Sequence, residues 1–257
     1  MDIAPYIGIT DFMTIEQVEK MFCVFRNHRP PGSKRQLHVG VMMSRKTLRG
    51  YGSKWAAVWP PKEKIADIFG LEDVYNCLHY ADYEYDHHPC ENLLKAISCG
   101  GIGLDAIQLD MIWPEPADIA GAIHLSRRHP EVILQIGGYS LIAVGNSPTT
   151  LVERLADYDG VVDRVLFDQS MGHGRGMEAK ELLPFIRAVH LHFPKLGLVV
   201  AGGLGPGTVG LVQPIVKEFP DVSIDAQGRL RPSGNSLDPI NWEMAGNYII
   251  EALRLLG

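Results

Sequence analysis

The amino-acid sequence predicts an α/β fold, a single (β/α)8 TIM barrel that occupies residues 1–257 as one domain. Three observations lead there. Eight short apolar runs alternate with longer helical patterns, a rhythm that suits a closed barrel or an open doubly wound sheet. The runs recur roughly every 25–40 residues with no compositional break, which favours one closed domain. The 257 residues also match the roughly 250 typical of one such barrel.

The predicted strands are Tyr6–Ile9, Leu37–Met43, Val74–Tyr80, Ala106–Leu109, Val132–Ile136, Val162–Phe167, Leu198–Ala201 and Val222–Ile224. They are apolar on both faces, as parallel strands covered by helices must be. The first helix follows Thr14, a good N-cap, with Ile15, Val18 and Phe22 spaced to share a face. Pro61–Phe69 opens with a proline suited to a first turn. Ala117–His129 ends in Arg127, Arg128 and His129, which would complement a helix C-terminus. Thr149–Leu155, Ala179–His192, Gly207–Phe219 and Asp238–Leu255 complete the helical segments. Arg49–Pro61 and Ala81–Cys90 are long for loops of this fold, and long loops on the catalytic face usually shape a site.

Composition narrows the function classes. The chain is 46% hydrophobic and 21% charged, with a net charge of −6 and scattered basic residues. That balance argues against a nucleic-acid or membrane partner. No run approaches a membrane span or a signal peptide. Cys23, Cys77, Cys90 and Cys99 lack metal or redox spacing. The expectation is a cytoplasmic protein with reduced thiols, no cofactor and no bound metal.

Chemistry concentrates at predicted strand ends. Val199–Val209 carries a buried strand, Gly202-Gly203 and then a helical segment. Glycines allow close backbone approach, and phosphate sites after strands seven and eight recur in barrels. Asp225-Ala226-Gln227-Gly228 ends the eighth strand and offers a second amide at Gly228. Gly202, Gly203, Gln227 and Gly228 are thus the predicted phosphate contacts. Asp168 ends the sixth strand ahead of a glycine-rich loop in which Gly172 and Gly174 could fold over a ligand. Asp110 ends the fourth strand. A carboxylate in such a place suits acid–base work. His38 and His79 could add imidazoles, and with Asp110 and Asp168 they raise a weaker metal reading.

These motifs resemble the phosphoribosylanthranilate isomerase family, among the ribulose-phosphate-binding barrels. Tyr6-Ile7-Gly8-Ile9-Thr10 is similar to its first strand, and Gly40–Arg49 to its second. Gln108-Leu109-Asp110-Met111 is similar to its fourth, Asp168 with Gly172–Gly176 to its sixth, and Ala201–Pro206 to its phosphate loop almost letter for letter. The resemblance implies that Asp168 is a general acid and that Arg49 binds the substrate's carboxylate. His79, Gly172 and Gly174 join Arg49 as expected substrate contacts. The sequence departs from the family where Ile7 stands for the family's basic cysteine, Asp110 for a histidine and Ala226-Gln227-Gly228 for Ser-Ser-Gly.

The reading that follows is an isomerase-type enzyme acting on a phosphorylated sugar-like molecule, through a reaction other than the family's standard one. Asp168 is the acid, and Asp110 or Asp11 replaces the missing base. Two alternatives stand beside it: a non-catalytic barrel that binds a phosphorylated ligand, and a metal-assisted sugar-phosphate epimerase or lyase.

Overall fold

The computed structural model describes residues 3–84, 88–168 and 178–257. Eight strands, β1 (Tyr6–Thr10), β2 (Gln36–Ser44), β3 (Tyr75–Ala81), β4 (Ala106–Asp110), β5 (Glu131–Gly137), β6 (Arg164–Asp168), β7 (Gly197–Ala201) and β8 (Ser223–Ala226), pair in parallel and in sequence order. The barrel closes through β8 and β1, with Gly8 opposite Asp225. The expected (β/α)8 barrel is the observed one, and all strand C-termini ring a single mouth.

The helical segments are α1 (Ile15–His28), α2 (Arg45–Leu48), α3 (Ile65–Ile68), α4 (Pro89–Cys99), α5 (Pro116–Leu125), α6 (Gly138–Ala143), α7 (Pro148–Leu155), α8 (Ala179–His192), α9 (Gln213–Val216) and α10 (Trp242–Leu256). α1 forms where expected. Gln17 accepts from the Met13 and Thr14 amides at 2.8 and 3.2 Å, which satisfies backbone donors at its start. α10 packs against α1, so the helical ring closes at the same seam as the sheet.

The apolar strands divide into two cores. Ile7, Ile9, Leu37 and Val39 face outward against Val18 and Met21 of α1 and Ile249 of α10. Tyr6, Tyr75, Cys77, Ala106, Ile133, Leu166 and Val199 fill the barrel interior. Its floor is polar. Buried Arg164 donates to Glu131 at 2.9 Å, to the Tyr75 hydroxyl at 3.2 Å and to the Ala4 carbonyl at 3.0 Å. Its guanidinium also lies over the Tyr75 and Tyr6 rings.

Four expected helices take a different form. Gly207–Phe219 splits into a 3-10 turn (Val209–Val212) and α9. Pro214, which has no N–H to give, sits in the first turn of α9, where a new helix can start without that donor. Pro61–Phe69 becomes a 3-10 turn (Lys62–Lys64) followed by α3. The segment expected over Ala117–His129 ends at Leu125, and His129 adopts φ +48 ahead of Pro130. The last helix starts later than Asp238. Pro239 disfavours a helical Asp238, and Asn241 caps instead, accepting from Glu243 and Met244 amides at 3.0 Å each. α2, α4 and α6 occupy stretches where no helix was expected.

Candidate functional site

Two cavities open at the C-terminal mouth. One, about 640 Å³, lies among the ends of β2–β6 and the loop after β2. The other, about 40 Å³, lies at the ends of β7 and β8. His79, Gln135, Asp168 and Gln227 line both.

The small cavity is walled by the predicted glycine turns: Gly202, Gly203, Gln227 and Gly228 all border it. After β7 the chain takes φ +108 at Gly202 and +68 at Gly203, a path that side-chain-bearing residues rarely follow. The Thr208 hydroxyl bonds the Gly203 and Gly205 carbonyls at 2.9 and 3.2 Å and pins the turn. The Gly203 and Gly228 amides donate to no acceptor among the described residues. A Cβ on Gly228 would meet nothing within 4 Å. Because the helix expected after this turn is a 3-10 turn and one short helix, bare backbone amides, not a long helix dipole, form the polar wall.

Asp225 forms part of the floor. Its Oδ2 accepts from the Thr10 hydroxyl at 2.9 Å, while buried Oδ1 has no partner. Burial pushes its pKa up to about 6, against the pull of the Thr10 bond.

Asp110 and Asp168 stand at the ends of β4 and β6, on the inner wall. Asp110 accepts a hydrogen bond from the Tyr83 hydroxyl, and its Oδ2 lies 3.7 Å from His79 Nε2. Burial pulls the His79 pKa down. The bond and charge of Asp110, with the charges of Asp225 and Asp11, outweigh that and leave it raised. Gln108 reaches His79 Nδ1 at 3.2 Å and donates to Gln135 Oε1 at 2.7 Å, so the inner wall is one connected polar layer.

Asp11, the other expected catalytic carboxylate, follows β1 at φ +91 and is buried. Its Oδ2 pairs with Arg231 and accepts from Gln227 Nε2 at 3.0 Å. It borders neither cavity. Burial raises its pKa, against the opposing charge of Arg231.

The arginine at the wide cavity is Arg45, not Arg49. Arg49 caps α2 and reaches Asn92 of α4 at 3.5 Å, away from the lining. Arg45 faces Asp82 at 3.4 Å and pairs with Glu84, which Lys46 also holds at 3.0 Å. Trp55 and Trp59, parallel with ring centres 4.9 Å apart, line the same cavity near Met42. Neither Arg45 nor these rings was singled out from sequence. Their signals were present: Arg45 directly follows a strand end, and the tryptophans stand four apart in the unusually long loop.

Gly172 and Gly174 lie outside the described residues. His38 sits deep in the barrel, stacked on Tyr6 with ring centres 4.5 Å apart, and burial lowers its pKa to about 3. It is thus remote from the mouth, where Asp110 and Asp168 stand. Among the described residues, no group of three His, Cys, Asp or Glu is arranged to hold a metal ion. Ile7 faces the helices, so its side chain neither adds nor removes a base at the mouth. The inward positions of β1 are Tyr6, Gly8 and Thr10. No helix among the described residues is long and apolar enough to cross a membrane.

No protein-family model matches the chain, and no curated protein matches it. Solved structures do. The chain is similar to phosphoribosyl anthranilate isomerase, solved with reduced 1-(o-carboxyphenylamino)-1-deoxyribulose 5-phosphate, at 18% identity and TM-score 0.59, over 98% of this chain and 100% of that one. It is also similar to orotidine 5'-monophosphate decarboxylase from Methanocaldococcus jannaschii, solved with the inhibitor BMP, at 9% identity and TM-score 0.58, over 99% of this chain and 100% of that one. At these identities the likeness is one of fold, and the fold shared is the (β/α)8 barrel.

Proposed function

We propose that the mouth binds a phosphorylated, sugar-like small molecule and isomerises it by acid–base chemistry. The observation that carries this reading is the junction of the two cavities. A phosphate held on the Gly203 and Gly228 amides would place the adjoining carbons among His79, Gln135, Asp168 and Gln227, which border both spaces. The 5-phosphate ligand named with the isomerase and the 5'-monophosphate in the decarboxylase's name agree with it.

In this reading Asp168 is the general acid. It gives its proton to the ring oxygen of a closed sugar as the ring C–O bond breaks. Asp110 is the base. It takes a proton from the neighbouring carbon, the C–H electrons become a C=C bond, and tautomerisation gives the ketose. Asp110 suits the role better than Asp11 because it borders the wide cavity, whereas Asp11 is held by Arg231 and Gln227. His79 beside Asp110 supports the proton movement. Arg45 and the Trp55–Trp59 pair shape the space for the rest of the molecule.

A second reading, a barrel that binds phosphorylated ligands without turnover, draws on β1. Its inward positions offer only buried Tyr6, Gly8 and Thr10, and the Thr10 hydroxyl is spent on Asp225. One experiment separates the two. The protein is incubated in deuterium oxide with ribose 5-phosphate, ribulose 5-phosphate and phosphoribosylanthranilate, and carbon-bound deuterium is followed by NMR. The proposal expects exchange next to the carbonyl of at least one sugar phosphate, slowed about 100-fold or more in Asp168→Asn and in Asp110→Asn. Turnover of phosphoribosylanthranilate itself should be poor. Tight binding without exchange would favour the second reading.

A further inference from the structure

We propose that Gln227 selects ligands with a free hydroxyl on the carbon next to the phosphate-bearing carbon, and so prefers open-chain polyol and sugar phosphates to ring-closed furanose 5-phosphates. This rests on the phosphate reading above and adds a rule about which phosphate esters fit.

Asp11 fixes the orientation of the Gln227 side chain. Its Oδ2 faces both the Arg231 guanidinium and Gln227. A carboxylate paired with arginine accepts hydrogen bonds and donates none. The Gln227 atom 3.0 Å from it is therefore the amide nitrogen, and the orientation of that side chain is set. Arg231 also donates to the Gln227 carbonyl at 2.9 Å and holds the backbone of the same residue. The side-chain oxygen, Oε1, is left over, and it has no donor among the described residues. Gln227 borders both cavities and directly precedes Gly228, whose open amide belongs to the phosphate wall.

An acceptor in that place asks its ligand for a donor. In glycerol phosphate or an open-chain pentose 5-phosphate, the carbon next to the phosphate-bearing one carries a hydroxyl, which can donate. In a furanose 5-phosphate the same carbon carries the ring oxygen, which only accepts and would face Oε1 lone pair to lone pair. Opening the ring turns that oxygen into a hydroxyl. Gln227 thus favours the opened state of a sugar phosphate over the closed one. Asp11 and Arg231 act here as positioning residues, since they touch Gln227 and border neither cavity.

The test is calorimetric binding of two small probes that differ by this hydroxyl alone, sn-glycerol 3-phosphate and 3-hydroxypropyl phosphate. Wild-type protein should bind the first roughly five- to tenfold more tightly, the usual worth of one hydrogen bond. In Gln227→Met the ratio of the two affinities should fall to about one, whatever the substitution does to both probes together. Equal binding of the probes by wild type overturns the inference without touching the phosphate reading, and this comparison needs no variant. A preference that persists in folded Gln227→Met also overturns it. If wild type binds neither probe, the phosphate reading falls and takes this inference with it.

Discussion

At position 225 the fold buries a carboxyl group at the floor of the small cavity, with one oxygen bonded to Thr10 and the other unpartnered. The cost falls on the charged form. The folded protein therefore holds a proton on Asp225 up to about pH 6, whereas the unfolded chain releases it near the ordinary value of 3.8. Between those values the native state binds more protons, so stability must fall as pH rises through the window. Asp225→Asn keeps an acceptor for Thr10 and removes the titration. Denaturant melts at pH 4 and pH 6 should show a smaller loss of stability in Asp225→Asn than in wild type, and an equal loss would show that Asp225 does not carry the effect. At this scale the sequence was most informative about backbone. Gly202, Gly203 and Gly228 could be read because glycine between a buried strand and a turn has few other uses. Side-chain partners were not legible. Nothing near Asp11 in sequence announces Arg231, which is 220 residues away, and the helical cap that turns Arg49 toward Asn92 depends on how the loop after β2 folds.

Elements were legible where their signals are local. α1 and α8 stand where helical periodicity puts them, because apolar spacing, with a capping box at α1, acts over a few residues. Two of the four altered helices carry a proline at the break: Pro214 stands in the first turn of α9, and Pro239 disfavours a helical Asp238. Asn241 then sets the start of α10, the helix that closes the outer ring against α1. Replacing it with alanine leaves the Glu243 and Met244 amides without their acceptor. Asn241→Ala should lower stability by about 1 kcal/mol, read as a shifted urea midpoint with an unchanged slope. No shift would place the helix start elsewhere than at this cap.

For the whole molecule, eight apolar strands in rhythm narrowed the fold to a closed barrel or an open doubly wound sheet, and their spacing without a compositional break favoured the closed barrel that is observed. The mouth follows from that topology, because every strand ends there. The floor beneath it is sealed by Arg164 with Glu131 and Tyr75, so a ligand can enter only from the loop side. What the topology leaves open is what the mouth holds, and the proposed function requires a phosphate at the Gly203 and Gly228 amides. The most direct test is isothermal titration of ribulose 5-phosphate and of ribulose into wild type and into Gly228→Val. Gly228 is the cleaner choice over Gly203, whose left-handed backbone a valine would strain. At Gly228 a Cβ meets no protein atom within 4 Å and the residue borders the small cavity, so valine there should crowd the Gly228 amide with little change in melting temperature. Ribulose 5-phosphate should bind wild type and lose at least about tenfold in affinity in Gly228→Val, a change of roughly 1.4 kcal/mol, while ribulose binds both proteins weakly. Equal binding of ribulose 5-phosphate by the two proteins would contradict it.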